Sequence, residues 1–149
     1  MNDDYIYETE EHISEKGMQS SSAKVFPIYT VIIAMYGATV GKTGILGIPA
    51  ATNQACACGI CSSAINYKYL FYYLQSQKDI FIMKSRGGAQ PNINANIISN
   101  YLIPIPPIYL QNTIVAHINK QKERIKLLKR QADDLRKGAL VEFEKEIFE

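Results

Sequence analysis

The sequence predicts an α+β protein: a small mixed or antiparallel β globular unit, followed by a long C-terminal helix of the coiled-coil-forming kind. Three observations predict it. Short runs of β-branched or small residues, punctuated by glycine, fill residues 29–61. Over residues 66–84 the apolar spacing changes to a helical one. After Pro107 nothing interrupts a helix until Gly138, and apolar residues there keep a heptad step.

Taken in order, residues 1–15 are polar and acidic, with Tyr5, Ile6 and Tyr7 as the early apolar cluster, and "ISEKGMQSSSAKVFP" reads as a turn-rich lead-in. "YTVIIAMYG" is a β-branched run of strand length that ends at Gly37. "KTGILGIPA" makes a second strand, with Gly41 and Gly44 expected to permit tight turns, and "NQACACGIC" a third. "NYKYLFYYLQSQKDIFIMK" then carries Leu70, Phe71, Leu74, Ile80, Phe81 and Met83 on broadly helical spacing behind Asn66, a suitable N-cap. Its tyrosines are expected to pack the core rather than stack on bases. "SRGGAQPNINANI" reads as a glycine- and amide-rich loop. "YLIPIPP" reads as an extended segment, because prolines are excluded from interior strand positions.

Pro107 suits a first helical turn, where its missing N–H would be unpaired in any case. Ile114, Ile118, Ile125, Leu128, Ala132, Leu135 and Ala139 form an a/d seam interrupted by Gln121. A helix from 108 to about 147 reaches ~60 Å at ~1.5 Å per residue, and a seam of that length calls for a second helix to cover it. Leu140, Phe143 and Ile147 continue the stripe at shifted phase after Gly138, where a bend is expected. The flanks are basic from Lys120 to Lys137, then acidic at Glu142, Glu144, Glu146 and Glu149.

The net charge of +2 conceals a strong segregation. Between Lys16 and Lys122 a single acid, Asp79, stands against nine bases, which favours a polyanionic partner. General acid–base catalysis needs a carboxylate or a histidine in a pocket, and this stretch offers only Asp79 and His117, both on expected helices. Catalysis by this chain alone is not expected, and no cofactor is called for. Cys56, Cys58 and Cys61 have a C-x-C-x-x-C spacing that suggests a metal, but a closed zinc site needs four ligands and no familiar pattern completes it. Alternation with Ala55 and Ala57 reads instead as structural thiols on a packed strand. The odd number of thiols and the absence of a signal peptide predict a reducing cytoplasm. No apolar stretch approaches the ~20 residues of a membrane span.

"YGATVGKTG" at residues 36–44 resembles a phosphate-binding loop. That motif needs glycine, four residues, then Gly-Lys-Ser/Thr between a strand and a helix. Gly41-Lys42-Thr43 is present, but Tyr36 occupies the first glycine position, and no acid to hold magnesium falls between Gly44 and Lys78. A hairpin presenting Lys42 and Thr43 is the better reading.

Several ordered motifs then carry a broader resemblance. "SSSAKVFPIYTVIIAMYGATVGKTGILGIPAATNQACACGI", "YLFYYLQSQKD", "GGAQPNINANII" and "IPIPPIYLQNTIVAHI" together resemble the specificity subunit of type I restriction–modification systems. The resemblance runs from about Ile13 to the C-terminus and implies a target recognition domain followed by a conserved helical spacer. It implies partial target recognition over residues 1–107 and a dimerisation helix over 108–149. The family's full subunit has two such units, whose helices pair antiparallel, so this chain would be a half-subunit or fragment with a short recognition domain. A "PPLEEQ"-type helix start appears here as "PPIYLQ", without its acids.

The implied partners are double-stranded DNA, methyltransferase subunits and, through them, restriction subunits. A second copy or a second half-subunit would join through the long helix. DNA-contact candidates are Lys42 and Thr43 on the hairpin, Thr52, Asn53 and Gln54 before the third strand, and Ser85, Arg86, Gln90, Asn92 and Asn94 after the helix. The competing reading of each Asn and Gln is satisfaction of a turn backbone. Two other classes stay open: an assembly module that no longer reads DNA, and a nucleotide hydrolase. An amino-methyltransferase fails, because Ile105-Pro106-Pro107 lacks the required Asn or Asp.

Overall fold

The computed structural model describes residues 4–85 and 92–148. In chain order the first elements are β1 (Tyr5–Ile6), α1 (Glu15–Gln19), β2 (Val25–Phe26), β3 (Val31–Ala34) and β4 (Thr43–Leu46). They are followed by β5 (Ala50–Ala51), β6 (Cys56–Gly59), α2 (Tyr67–Ser76), α3 (Lys78–Lys84), α4 (Ala95–Ser99) and α5 (Ile108–Phe148). The expected α+β class is the observed one.

β3 is the centre of a four-stranded mixed sheet of order β1-β4-β3-β6. It pairs antiparallel with β4 (Val31 opposite Ile45) and with β6 (Ile32 opposite Cys58), while β1 runs parallel to β4. Strand alternation divides β3 between two faces. Val31 and Ile33, with Ile45 of β4, meet Leu70, Phe71 and Leu74 of α2 and Phe81 of α3 in the core. Ile32 and Leu46 form the floor of a cleft on the other side. Both faces of β3 are therefore covered, and the strand reads as a continuous apolar run rather than an alternating one. β2 and β5 form a separate two-stranded antiparallel ribbon.

Four expectations are corrected. Gly44 is not a turn residue: it lies in β4 opposite Ile32, where an added Cβ would come within 2.8 Å of Ile6 Cδ1 of β1. The helix expected over 66–84 is two, broken at Gln77, whose side-chain oxygen accepts a hydrogen bond from Tyr101 Oη at 2.8 Å. The amide-rich loop contains α4, whose N-cap is Asn94. The turn-rich lead-in contains α1, capped by the Ser14 side chain accepting from Gly17 N–H. Asn66 does cap α2, accepting from the N–H groups of Lys68 and Tyr69. The helix tyrosines pack as expected: Tyr69 Oη donates to Pro104 O, Tyr67 Oη pairs with Tyr5 Oη at 3.0 Å, and the Tyr67 ring stacks on Tyr29.

Two compact units divide at Asn112/Thr113, so the first turn of α5 belongs to the first unit. The physical reason is Gln111, which is completely buried. Its Nε2 donates to Ala64 O and Pro106 O at 2.9 and 2.7 Å, and its Oε1 accepts from Asn66 N–H at 2.8 Å. In the second unit α5 continues through Gly138 without interruption, and every residue from Lys120 to Phe148 is exposed.

Candidate nucleic-acid interface

Three of the loops singled out in the sequence converge on one buried residue, Met35. Its N–H donates to Ala55 O and its carbonyl accepts from Ile93 N–H, both at 2.8 Å. The first bond ties down the Thr52–Ala55 loop and the second the start of α4. The β3–β4 connection follows Met35 directly, and Tyr36 bridges to Asn92 within it. Nothing in "IIAMYG" announces this junction, because a methionine there reads as one more apolar strand residue.

The connection between β3 and β4 is a one-turn 3₁₀ helix, Gly37–Thr39, closed by Gly41 N–H donating to Ala34 O and Ala34 N–H donating to Lys42 O. Gly41 has φ +75°, in the left-handed region that favours glycine, and an added Cβ would make a tight 3.3 Å contact with the backbone oxygen of Lys78. A phosphate-binding loop leads from a strand into a helix. Gly41-Lys42-Thr43 instead joins two antiparallel strands, which removes the phosphate-loop reading.

The candidate side chains separate cleanly. Lys42, Asn53, Gln54, Asn92 and Asn94 are exposed. Asn53 and Asn94 are also engaged locally: Asn53 Oδ1 accepts from Ala55 N–H, and Asn94 Oδ1 accepts from Asn96 N–H. Thr43 is half-buried, with its hydroxyl oxygen fully covered and without a hydrogen-bond partner among the described residues, so it is not presented beside Lys42. Ser85 is buried at the end of α3, its hydroxyl donating to Ile82 O at 2.7 Å, and does not present a contact. Thr52 Oγ1 lies 3.4 Å from Cys58 Sγ. Arg86 and Gln90 lie outside the described residues. The outward donors and acceptors around Met35 are therefore Lys42, Gln54 and Asn92, with Asn53 and Asn94 partly committed.

The cleft floored by Ile32 and Leu46, about 830 Å³ in volume, adds residues that sequence reasoning missed. Thr52, Asn53 and Gln54 line it together with Lys24, His12, Ser21 and Ser22 of the N-terminal segment. Glu11 is also in the lining, so its charge is mixed. Lys24 carries no signal in the sequence beyond its charge, since nothing local connects it with residues about thirty positions later.

Cys56 and Cys58 are on β6 as expected, and all three cysteines are free thiols. Burial pushes each thiol above its ordinary range; the neighbouring Cys58 raises Cys56 further, and the Thr52 hydroxyl partly offsets the rise at Cys58. A raised thiol has less thiolate character and is a weaker nucleophile. Among the described residues no group of three or more His, Cys, Asp or Glu side chains is placed to hold a metal ion. Among the same residues no helix is long and apolar enough to cross a membrane.

A small mixed sheet backed by two short helices, followed after a proline-rich segment by a 41-residue helix, defines the class of the protein: an α+β unit with a long C-terminal helix. The chain belongs to the family of type I restriction–modification DNA specificity domains, whose model matches residues 1–137. It is 27% identical over 117 residues to the type I restriction enzyme EcoR124I/EcoR124II specificity subunit of Escherichia coli, covering 75% of this chain and 29% of that protein. It is likewise 27% identical over 138 residues to the MjaIX specificity subunit of Methanocaldococcus jannaschii, covering 91% of this chain and 32% of that one. The fold is shared with the crystal structure of the HsdS subunit from Thermoanaerobacter tengcongensis, with a TM-score of 0.62, 24% identity, and coverage of 74% of this chain and 26% of that chain. A structure described as addressing complex assembly and conformational transition of the type I restriction–modification system matches with a TM-score of 0.62 at 25% identity, over 74% of this chain and 27% of that one. The chain thus spans about three tenths of the length of the curated relatives it matches.

Proposed function

We propose that this chain is a non-catalytic DNA-recognition unit of a type I restriction–modification complex. The observation that carries the reading is the convergence at Met35, which gathers the β3–β4 connection, the Thr52–Ala55 loop and the start of α4 within the stretch from Lys16 to Lys122, where Asp79 is the single acid. Lys42 offers a compact positive charge to a phosphate, while Gln54 and Asn92 have the paired donor and acceptor that match an adenine edge in the major groove. Lys24, which lines the same cleft as Gln54, supplies a further phosphate contact. The seam of α5, from Ile114 to Ala139, pairs with the helix of a second recognition unit, so that two heads read an interrupted site. Methylation and cleavage belong to methyltransferase and restriction subunits carried by the same assembly, which acts on DNA in the cytoplasm.

The test is duplex DNA binding against salt, read by fluorescence anisotropy on the full chain. Affinity should fall steeply with salt, and Lys42→Ala should weaken binding to all sequences and flatten the salt slope by about one. Gln54→Ala and Asn92→Ala should change sequence preference with little effect on that slope. No binding at any salt would favour the second reading, a helix-mediated assembly module. Its support is that Ser85, Asn53 and Asn94 spend their side chains on local backbone.

A further inference from the structure

The helix seam is exposed, and its partner can be read from what flanks it. At ~100° per residue, Ile125, Leu128, Ala132, Leu135 and Ala139 fall on one stripe of α5. Arg124 lies beside the stripe on one side, and Lys129 and Arg136 lie beside it on the other, each about 60–80° from its midline. In heptad terms these are the g and e positions that meet a partner helix. The acids of the same stretch, Glu123, Asp133 and Asp134, fall further round, at b, c and f positions facing away. Glu142 and Glu146 fall on the seam line itself and end its apolar part at Ala139.

Resting on the reading that this seam pairs with another helix, we infer that its partner is a helix with acidic flanks and not a second copy of this chain. Two copies meet badly in either orientation. In a parallel pair the g position of one helix faces the following e position of the other, which sets Arg124 against Lys129. In an antiparallel pair e faces e. A register with Leu135 over Ala132 and Leu128 over Ala139 sets Lys129 against Arg136, and one with Ile125 over Leu135 and Leu128 over Ala132 sets Lys129 against the second copy's Lys129. Both arrangements stack like charges on an exposed edge, where opposite charges decide partner and orientation. A helix with glutamates at its e and g positions and a comparable alternation of leucine and alanine on its seam answers all three cations. The second unit of the assembly is accordingly a different sequence, complementary in charge.

Analytical ultracentrifugation of the full chain tests this with two synthetic helical peptides that share one apolar seam. One has Glu and the other Lys at the flanking positions. At low salt the chain alone should sediment as a monomer and bind the Glu-flanked peptide about ten-fold or more tightly than the Lys-flanked one. The preference should shrink as salt rises, because exposed pairs are screened. The triple variant R124E/K129E/R136E should reverse the preference and form a one-to-one dimer with the unaltered chain.

A self-dimer of the unaltered chain at low salt, with no preference between peptides, would overturn the choice of partner while leaving seam pairing intact. Displacement of the Glu-flanked peptide by duplex DNA that the triple variant no longer binds would overturn it too, because the flank would then be a phosphate contact. Binding of neither peptide at any salt would overturn helix pairing itself, and the inference with it.

Discussion

Gln111 and Gln121 lie on the same helix, but their surroundings are opposite. Gln111 is sealed in a pocket where three hydrogen bonds account for its amide, whereas Gln121 stands in solvent on the line of the seam. The contrast extends to the two units that meet between them. The first unit owns a core in which Val31, Ile45, Phe71, Phe81 and Ile93 are essentially sealed from water. The second presents Ile125, Leu128 and Leu135 to solvent, with Leu135 76% exposed. A helix gains little from its own hydrogen bonds unless an apolar face is buried. The first unit therefore contains the reason for its fold, and the second waits for part of its stabilisation.

The largest expected effect tests that division directly. Phe81→Ala empties a fully buried site and should cost about 3–5 kcal/mol of unfolding free energy. Leu135→Ala should change the stability of the lone chain by no more than about 0.5 kcal/mol, because nothing covers the side chain. Urea unfolding followed by near-ultraviolet tyrosine dichroism separates the two, since all ten tyrosines precede Thr113. Comparable losses from both variants would mean that the seam is already buried within the lone chain, and the comparison would break.

Gln111→Ala comes next. It strands the Asn66 N–H and the Ala64 and Pro106 carbonyls in a buried site, at a cost of about 2–3 kcal/mol. Gln121→Ala, on the same helix, should fall within about 0.5 kcal/mol of the unaltered chain. The same denaturation experiment compares them. A small effect at position 111 would move the boundary between units back towards Pro107.

Where a feature rests on local pattern, the sequence was legible. The β-branched run of β3, the small-residue alternation of β6, the Asn66 cap and the proline-led α5 all carry their cause within a few residues. What escaped has its cause elsewhere in the chain. The break at Gln77 depends on Tyr101, the glycine of position 44 on Ile6, and the gathering of three loops on the backbone of Met35. Ser85 and Thr43 suit a contact by residue type alone, and only packing turns their hydroxyls inward. The candidate interface was thus legible as a set of loops. Which members face outward was not, because exposure is a property of the tertiary fold.

The smallest effect sharpens the comparison through pH. Burial, and then the hydrogen bond with Tyr5, push the Tyr67 hydroxyl from 10.0 up to about 12. The folded state therefore keeps this proton after the unfolded chain has released its own. The sign follows from proton linkage: more protons are bound in the native state between about pH 10 and 12, so stability is full below pH 10 and declines across that window. Tyr67→Phe, which has no proton to lose, should show a shallower alkaline decline in the near-ultraviolet tyrosine signal. Far-ultraviolet dichroism, to which α5 contributes 41 helical residues, should lag behind that signal in the unaltered chain if the two units unfold separately. Identical alkaline profiles for Tyr67→Phe and the unaltered chain would place the pH sensitivity in other groups. Coincident near- and far-ultraviolet transitions would show that the long helix shares the fate of the head even without a partner.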